Sequence, residues 1–157
     1  NRDTSERPDD GLVLTGAYLA AAVRCAPPQN KPTPVEVSTC LDHLEAELMH
    51  LPRVDTVVAL GKIAWDAWLQ LLSRRVRLPR PRPAFGHGAV FDIAGIGAGP
   101  RPSRRPTRLI GCYHPSRQNT NTGTVTPAMY DDVFKGLVKI GQAGSIDNPH
   151  ARLPTAE

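Results

Sequence analysis

Sixteen of the 157 residues are proline. Because proline fixes φ and carries no amide N–H, its positions decide where helices can begin and where they must stop. Residues 25–32 (Cys-Ala-Pro-Pro-Gln-Asn-Lys-Pro) are therefore read as a rigid loop. Directly after it, Thr33-Pro34-Val35-Glu36 sets a cap residue, a proline at the first helical position and a glutamate that completes a capping box, so a helix starts at Pro34. Its apolar residues Val37, Leu41, Leu44, Leu48 and Leu51 recur at the period of one helical face, and Pro52 ends it. Residues 54–60 (VDTVVAL) then read as a short strand closed by Gly61, followed by a helix over 62–74 with Ala64, Trp68, Leu71 and Leu72 on one side. The run 12–23 (LVLTGAYLAAAV) is nearly all apolar and too short to span a bilayer, and it reads as a buried strand. Two strand-then-helix units in tandem indicate an α/β protein with a largely parallel sheet.

From 74 to 106 the composition turns to Arg and Pro, which predicts two basic loops flanking a short strand at 89–93. Residues 74–108 hold nine arginines and a single acid, Asp92, within a chain whose net charge is +4. That bias favours a polyanionic partner. A third strand, 108–113, delivers His114-Pro115-Ser116 at its carboxyl end, where parallel sheets bind ligands. A last helix opens at Thr126-Pro127 and is expected to run to about Ile140, where Gly141 stops it. Residues 1–10 read as a loop or frayed end, 1–141 as the folded domain, and 142–157 as a polar, disordered tail. There is no apolar run of membrane-spanning length and no signal-peptide pattern, and three unevenly spaced cysteines argue against a secreted disulfide scaffold.

Several residue types invite chemistry. Cys25 and Cys40 are fourteen residues apart without a CxxC partner, so on spacing alone two small buried thiols are the plainer reading and a metal site the bolder one. Cys112, inside a strand, reads as a packing residue. His114 sits on a stiff turn and is followed by Arg117, Gln118, Asn119, Thr120, Asn121 and Thr122, hydrogen-bonding side chains suited to phosphates and base edges. As an isolated tripeptide, His-Pro-Ser would be no more than a surface turn. His87 lies between two glycines, which leaves room for a ligand or simply makes a turn. No P-loop, GxSxG or HExxH pattern occurs.

Five blocks in order carry a more specific signal. They are Val23-Arg24-Cys25-Ala-Pro-Pro-Gln-Asn30-Lys31-Pro-Thr-Pro, then Cys40, then Val58-Ala59-Leu60-Gly61-Lys-Ile-Ala64-Trp65, then Phe85-Gly-His87-Gly, then Tyr113-His114-Pro115-Ser116-Arg-Gln-Asn119-Thr-Asn-Thr-Gly123. Together they resemble the uracil-DNA glycosylase superfamily over roughly residues 10–141, and most closely its family 5, the iron-sulfur type called UDGb. The resemblance implies a three-layer α/β/α fold with a central, mainly parallel sheet, and hydrolytic removal of a damaged base from DNA. It implies a 4Fe-4S cluster held by four cysteines, with Cys25 and Cys40 matching the third and fourth. His114 matches the residue that stabilises the departing base, and Asn30 lies in the loop that positions water or supports the cleaved state, a turn role being its alternative. Ala21 and His87 fall at the base pocket, while Lys31, Ser116, Arg117, Gln118 and Asn119 fall on the DNA. Ala21 stands where narrower uracil enzymes carry an asparagine, which implies a pocket open to uracil, hypoxanthine and bulkier adducts such as ethenocytosine. The family's amino-terminal third, with two further cysteines and a GLAPA-type motif, is unmatched, so a separate amino-terminal fragment of the same enzyme is an expected partner besides damaged DNA. The resemblance also implies a cytoplasmic, nucleoid-associated monomer. Two other readings compete: a nonenzymatic nucleic-acid-binding fragment that uses the Arg-rich loops, and a small metal or redox protein built on the two thiols.

Overall fold

In the computed structural model, residue 7 and residues 9–93 and 106–143 are described. Their elements are a 3-10 turn at Pro28–Asn30, helix α1 (Pro34–Met49), strand β1 (Thr56–Leu60), helix α2 (Lys62–Ser73), strands β2 (Val90–Asp92) and β3 (Arg108–Cys112), and helices α3 (Arg117–Asn121) and α4 (Pro127–Ala143). Helix α1 begins where the capping box predicts: Thr33 Oγ1 accepts from Glu36 N, and Glu36 Oε2 accepts from Thr33 N at 2.6 Å. Its apolar face also holds, with Leu41 fully buried and Val37, Leu44 and Leu48 packed on the core.

The three described strands form one sheet in the order β1-β3-β2. The β1 and β3 strands run parallel, in register from Thr56 beside Arg108 to Leu60 beside Cys112, whereas β2 runs antiparallel to β3. Side chains alternate between the faces as strand geometry requires. Val57, Ala59, Leu109 and Phe91 face α1 and α2, while Val58, Leu60, Ile110 and Cys112 face Tyr130, Val133 and Leu137 of α4. Helices thus cover both faces, the α/β/α layering expected, around a small mixed sheet. Gly111 keeps the α2-side face shallow: a Cβ there would lie 2.3 Å from the Gly86 carbonyl oxygen and 3.3 Å from the Phe85 ring.

Helix α2 buries more than one stripe, because the segment after it folds back along its flank. Trp65 Nε1 donates to Pro83 O at 3.1 Å, and the Trp65 and Phe85 rings meet edge to face at 6.0 Å. Trp65 and Leu69 are therefore buried along with the predicted Trp68, Leu71 and Leu72.

Two expectations change. Residues 12–23 do not form a buried strand: they are irregular backbone, with Leu19 73% and Val13 61% exposed, and only Ala22 of the run packs on the main core. No described strand pairs with the segment, and Gly16 at φ +71° breaks the extended run that an all-apolar pattern implied. Gly141 does not stop α4, which continues to Ala143. A glycine inside a helix costs only about 1 kcal/mol relative to alanine, so it weakens a helix without ending it. The rest of the predicted tail, residues 144–157, lies outside the described residues, as does the 94–105 stretch with Arg101, Arg104 and Arg105. Among the described residues, no helix is long and apolar enough to cross a membrane.

Candidate active site

The parallel pairing of β1 and β3 brings their carboxyl ends side by side. Gly61 N donates to Cys112 O at 2.7 Å, so the chain leaving β1 lies against the chain leaving β3. Gly61 adopts φ +91°, and a Cβ on it would sit 3.2 Å from His114 Cβ. Glycine is thus favoured by its backbone conformation, and its missing Cβ also spares a tight approach to His114.

His114 is exposed, and the loop after it is tied to its backbone. Its carbonyl oxygen accepts from Ser116 N at 2.8 Å and from Asn119 Nδ2 at 2.9 Å. Ser116 caps α3, its hydroxyl accepting from Asn119 N at 3.2 Å. The sequence pattern presents 117–122 as a loop of donors and does not reveal α3. The signal for it is Ser116 three residues before Asn119, a local cap too short to register as a helical period. Of the residues expected on DNA, Arg117 and Gln118 are exposed on α3, whereas Ser116 and Asn119 use polar groups to hold the loop.

Tyr113, just before His114, is gripped from both sides. Its amide donates to His87 Nδ1 at 3.2 Å, and its carbonyl accepts from Tyr130 Oη at 2.7 Å. Since Nδ1 accepts, the partners assign the ring proton to Nε2, which donates to Met129 O at 3.2 Å. The His87 ring also packs at 5.1 Å on the Tyr113 ring, which meets Phe85 at 6.0 Å. With both nitrogens engaged by backbone, His87 offers a ligand only its ring face or edge. Burial raises the Tyr130 hydroxyl pKa, with a smaller contribution from Cys112, which keeps the phenol protonated and donating.

The thiols fall into two places. Cys112 is fully buried between β3 and α4, and burial raises its pKa. Cys40, on α1, is buried and accepts from Arg24 N at 3.4 Å, which draws the Cys25 loop onto that helix. Cys25 is exposed; its pKa is raised first by desolvation, then by the nearby Glu36 and Cys40. A sulfur receiving a main-chain N–H beside a second thiol suits two positions of a thiolate-ligated cluster, whose sulfurs are tuned by such hydrogen bonds. Among the described residues no third Cys, His, Asp or Glu joins them.

Ala21 is exposed in irregular backbone, a correction to its expected place in a buried strand. Asn30 ends the Pro28–Asn30 turn, where Gln29 takes φ 56°, and Lys31 is exposed directly after it. A cleft of about 660 Å³ runs beside α2, lined by residues including Lys62, Asp66, Gln70, Arg82 and Phe85; His114 is not in its lining.

The family model of the uracil DNA glycosylase superfamily matches residues 4–138. This chain belongs to that superfamily. It is 45% identical over 127 residues to a type-5 uracil-DNA glycosylase of Thermus thermophilus, covering 81% of this chain and 52% of that protein. A type-5 uracil-DNA glycosylase of Mycobacterium bovis is 43% identical over 132 residues, covering 83% of this chain and 44% of that protein. The type-5 uracil-DNA glycosylase of Pyrobaculum aerophilum is 37% identical over 135 residues, covering 86% and 52%. The chain thus spans about half the length of the relatives it matches. All five sequence blocks fall inside the matched span. Within this superfamily member, the structure gathers the last three of them (58–65, 85–88 and 113–123) at one end of the sheet, through Gly61, His87 and Tyr113-His114.

Proposed function

We propose that this chain is part of a DNA repair glycosylase that flips a deaminated base out of the duplex and hydrolyses its N-glycosidic bond. The observation that carries this reading is His114, presented at the carboxyl end of β3 beside a glycine that leaves it room, in a chain of the uracil DNA glycosylase superfamily. A base cannot be cut while stacked, so it must first rotate into a pocket. As the bond from the sugar breaks, the sugar becomes cationic and the base takes the electron pair. Water then adds a hydroxyl to the sugar carbon, and its proton balances the departing base. His114 donates a hydrogen bond to the base oxygen as charge develops there, and losing such a donor typically costs about 2.7–4 kcal/mol of barrier. Asn30 orients the attacking water. Lys31, Arg117 and Gln118 hold the phosphates, and Ser116 and Asn119 keep their loop in shape for the DNA.

Ala21 leaves the base edge without a polar reader, so the pocket accepts hypoxanthine and bulkier adducts besides uracil. Cys25 and Cys40 supply two thiolates to a 4Fe-4S cluster, and further cysteines come from a segment outside this chain. Cys25 and Cys40 would hold the group between the loop after Ala21 and α1, where it would supply a structural cross-link. The enzyme works as a monomer on damaged DNA in the nucleoid.

The test is single-turnover release of uracil by the full-length protein and its His114→Ala variant. The rate should fall by about 10²- to 10³-fold while DNA binding stays within a few fold, because the charge His114 meets exists only in the transition state. A variant at the wild-type single-turnover rate would refute the assignment. A nonenzymatic DNA-binding role is favoured by Arg77, Arg80 and Arg82, which are exposed around a cleft of about 410 Å³. Release of free base separates the two readings.

A further inference from the structure

We infer that His87 and Tyr130 act together as positioning residues for His114, by clamping the peptide groups on either side of Tyr113; the inference rests on the proposed role of His114. The two side chains come from different parts of the fold. His87 lies in the turn before β2, and Tyr130 is the fourth residue of α4. They meet at one residue: Tyr113 N donates to His87 Nδ1, and Tyr113 O accepts from Tyr130 Oη at 2.7 Å. The amide is thereby held from the β2 side and the carbonyl from the α4 side. That carbonyl belongs to the peptide leading into His114, so the two bonds fix the direction in which the chain leaves β3.

The remaining contacts complete the hold. His87 Nε2 donates to Met129 O, one residue before Tyr130, so the imidazole also joins the turn before β2 to the first turn of α4. On the far side of His114, its own carbonyl is held by Ser116 N and Asn119 Nδ2. On the near flank, Gly61 leaves open the space beside His114 Cβ, which a Cβ on residue 61 would approach to 3.2 Å. The backbone around an exposed histidine is thus restrained at successive peptide groups, while its ring is left to a ligand. A half-buried histidine and a half-buried tyrosine, both committed to the backbone of the residue before His114, are more than a plain strand exit requires. They suit a donor that must meet a developing charge without reorganising, since a displacement near 1 Å can cost about 10²-fold in rate.

The dissection uses the full-length protein. In His87→Asn the amide oxygen replaces Nδ1 as acceptor for Tyr113 N, whereas in His87→Gln the amide nitrogen replaces Nε2 as donor to Met129 O. Tyr130→Phe removes only the hydroxyl and keeps the ring, so it preserves packing if His87 variants fold poorly. Single-turnover release of uracil should slow by about 10- to 100-fold in Tyr130→Phe and His87→Gln, and by clearly less in His87→Asn than in His87→Gln, because only the asparagine keeps an acceptor for Tyr113 N. The Kd for uracil-containing DNA should remain within about 2-fold in all three, because losses in positioning belong to the chemical step. Amide exchange at Tyr113 should accelerate in His87→Gln and not in His87→Asn. Wild-type rates in Tyr130→Phe and His87→Gln overturn the inference, as does a His87→Asn variant as slow as His87→Gln, or a loss confined to Kd. If the wild-type protein releases no uracil, or His114→Ala works at full rate, the proposed function falls and the positioning role with it. Excision that needs His114 but ignores the clamp variants overturns the clamp alone.

Discussion

Gly111 and Ala21 show how differently two small residues can be constrained. Gly111 sits in the central strand, where a Cβ would fall 2.3 Å from a backbone oxygen that the Gly88–Gly111 and Ala89–Gly111 hydrogen bonds hold in place. Gly111→Ala should therefore destabilise the fold by about 1–3 kcal/mol, the usual cost of overpacking, and this is read from the chemical-denaturation midpoint. An unshifted midpoint would mean that the 85–88 turn gives way freely. Ala21 is exposed, so Ala21→Asn should change stability by no more than about 0.5 kcal/mol. In the full-length protein the same change should favour uracil over hypoxanthine, since a site that hydrogen-bonds one edge rejects others by up to about 10⁴-fold. An unchanged ratio of the single-turnover rates on the two bases would remove Ala21 from the pocket.

Helix α1 depends on its first turn. Thr33→Ala deletes the hydroxyl that accepts from Glu36 N, which should destabilise the helix by about 1 kcal/mol, visible as a lowered Tm at neutral pH. Acid should weaken the same helix. The two hydrogen bonds from Thr33 lower the Glu36 pKa, and hydrogen bonds from Arg75 do the same to Glu45, each from a usual 4.5. A carboxylate with a depressed folded pKa adds stability above its unfolded value, and that stability is lost as pH falls through the lower folded value. The Tm should thus decline below about pH 4.5, and less steeply in Thr33→Ala, which has already given up part of the Glu36 bonding. Parallel acid limbs for both proteins would contradict this. The ion pairs of Arg74 and Arg75 with Asp42 and Glu45 join α2 to α1 at the surface, where such pairs add little.

At the scale of the whole molecule, three cysteines cannot make a four-thiolate cluster when one of them is sealed under α4. Residues 1–157 alone should take up no stable 4Fe-4S cluster on reconstitution, measured by visible absorption and iron content. Stoichiometric iron and sulfide in this chain would count against the ligand assignment. In the full-length protein, Cys25→Ser or Cys40→Ser should lose the cluster and its absorption. Arg77, Arg80 and Arg82 are exposed, and their replacement by Ala should flatten the dependence of DNA affinity on salt, by about 0.9 in the logarithmic slope for each phosphate no longer neutralised. If the slope is unchanged, that face does not meet DNA.

What the sequence determined by itself was local: the start of α1 from Thr33, Pro34 and Glu36, its buried face from the spacing of Leu41 and its neighbours, and three of the strands from short apolar runs. These rest on interactions a few residues apart, so periodicity and caps record them. The family was legible from five ordered blocks, because each block holds residues whose neighbours along the chain matter. The antiparallel placement of β2, the exposure of residues 12–23 and the clamp on Tyr113 came only from the tertiary structure. An apolar run becomes a buried strand only if another strand offers it a ladder, and no described strand pairs with 12–23. Likewise His87 and Tyr130 are forty-three positions apart. Nothing in either one's local sequence says that a strand exit between two layers will bring both to the same peptide.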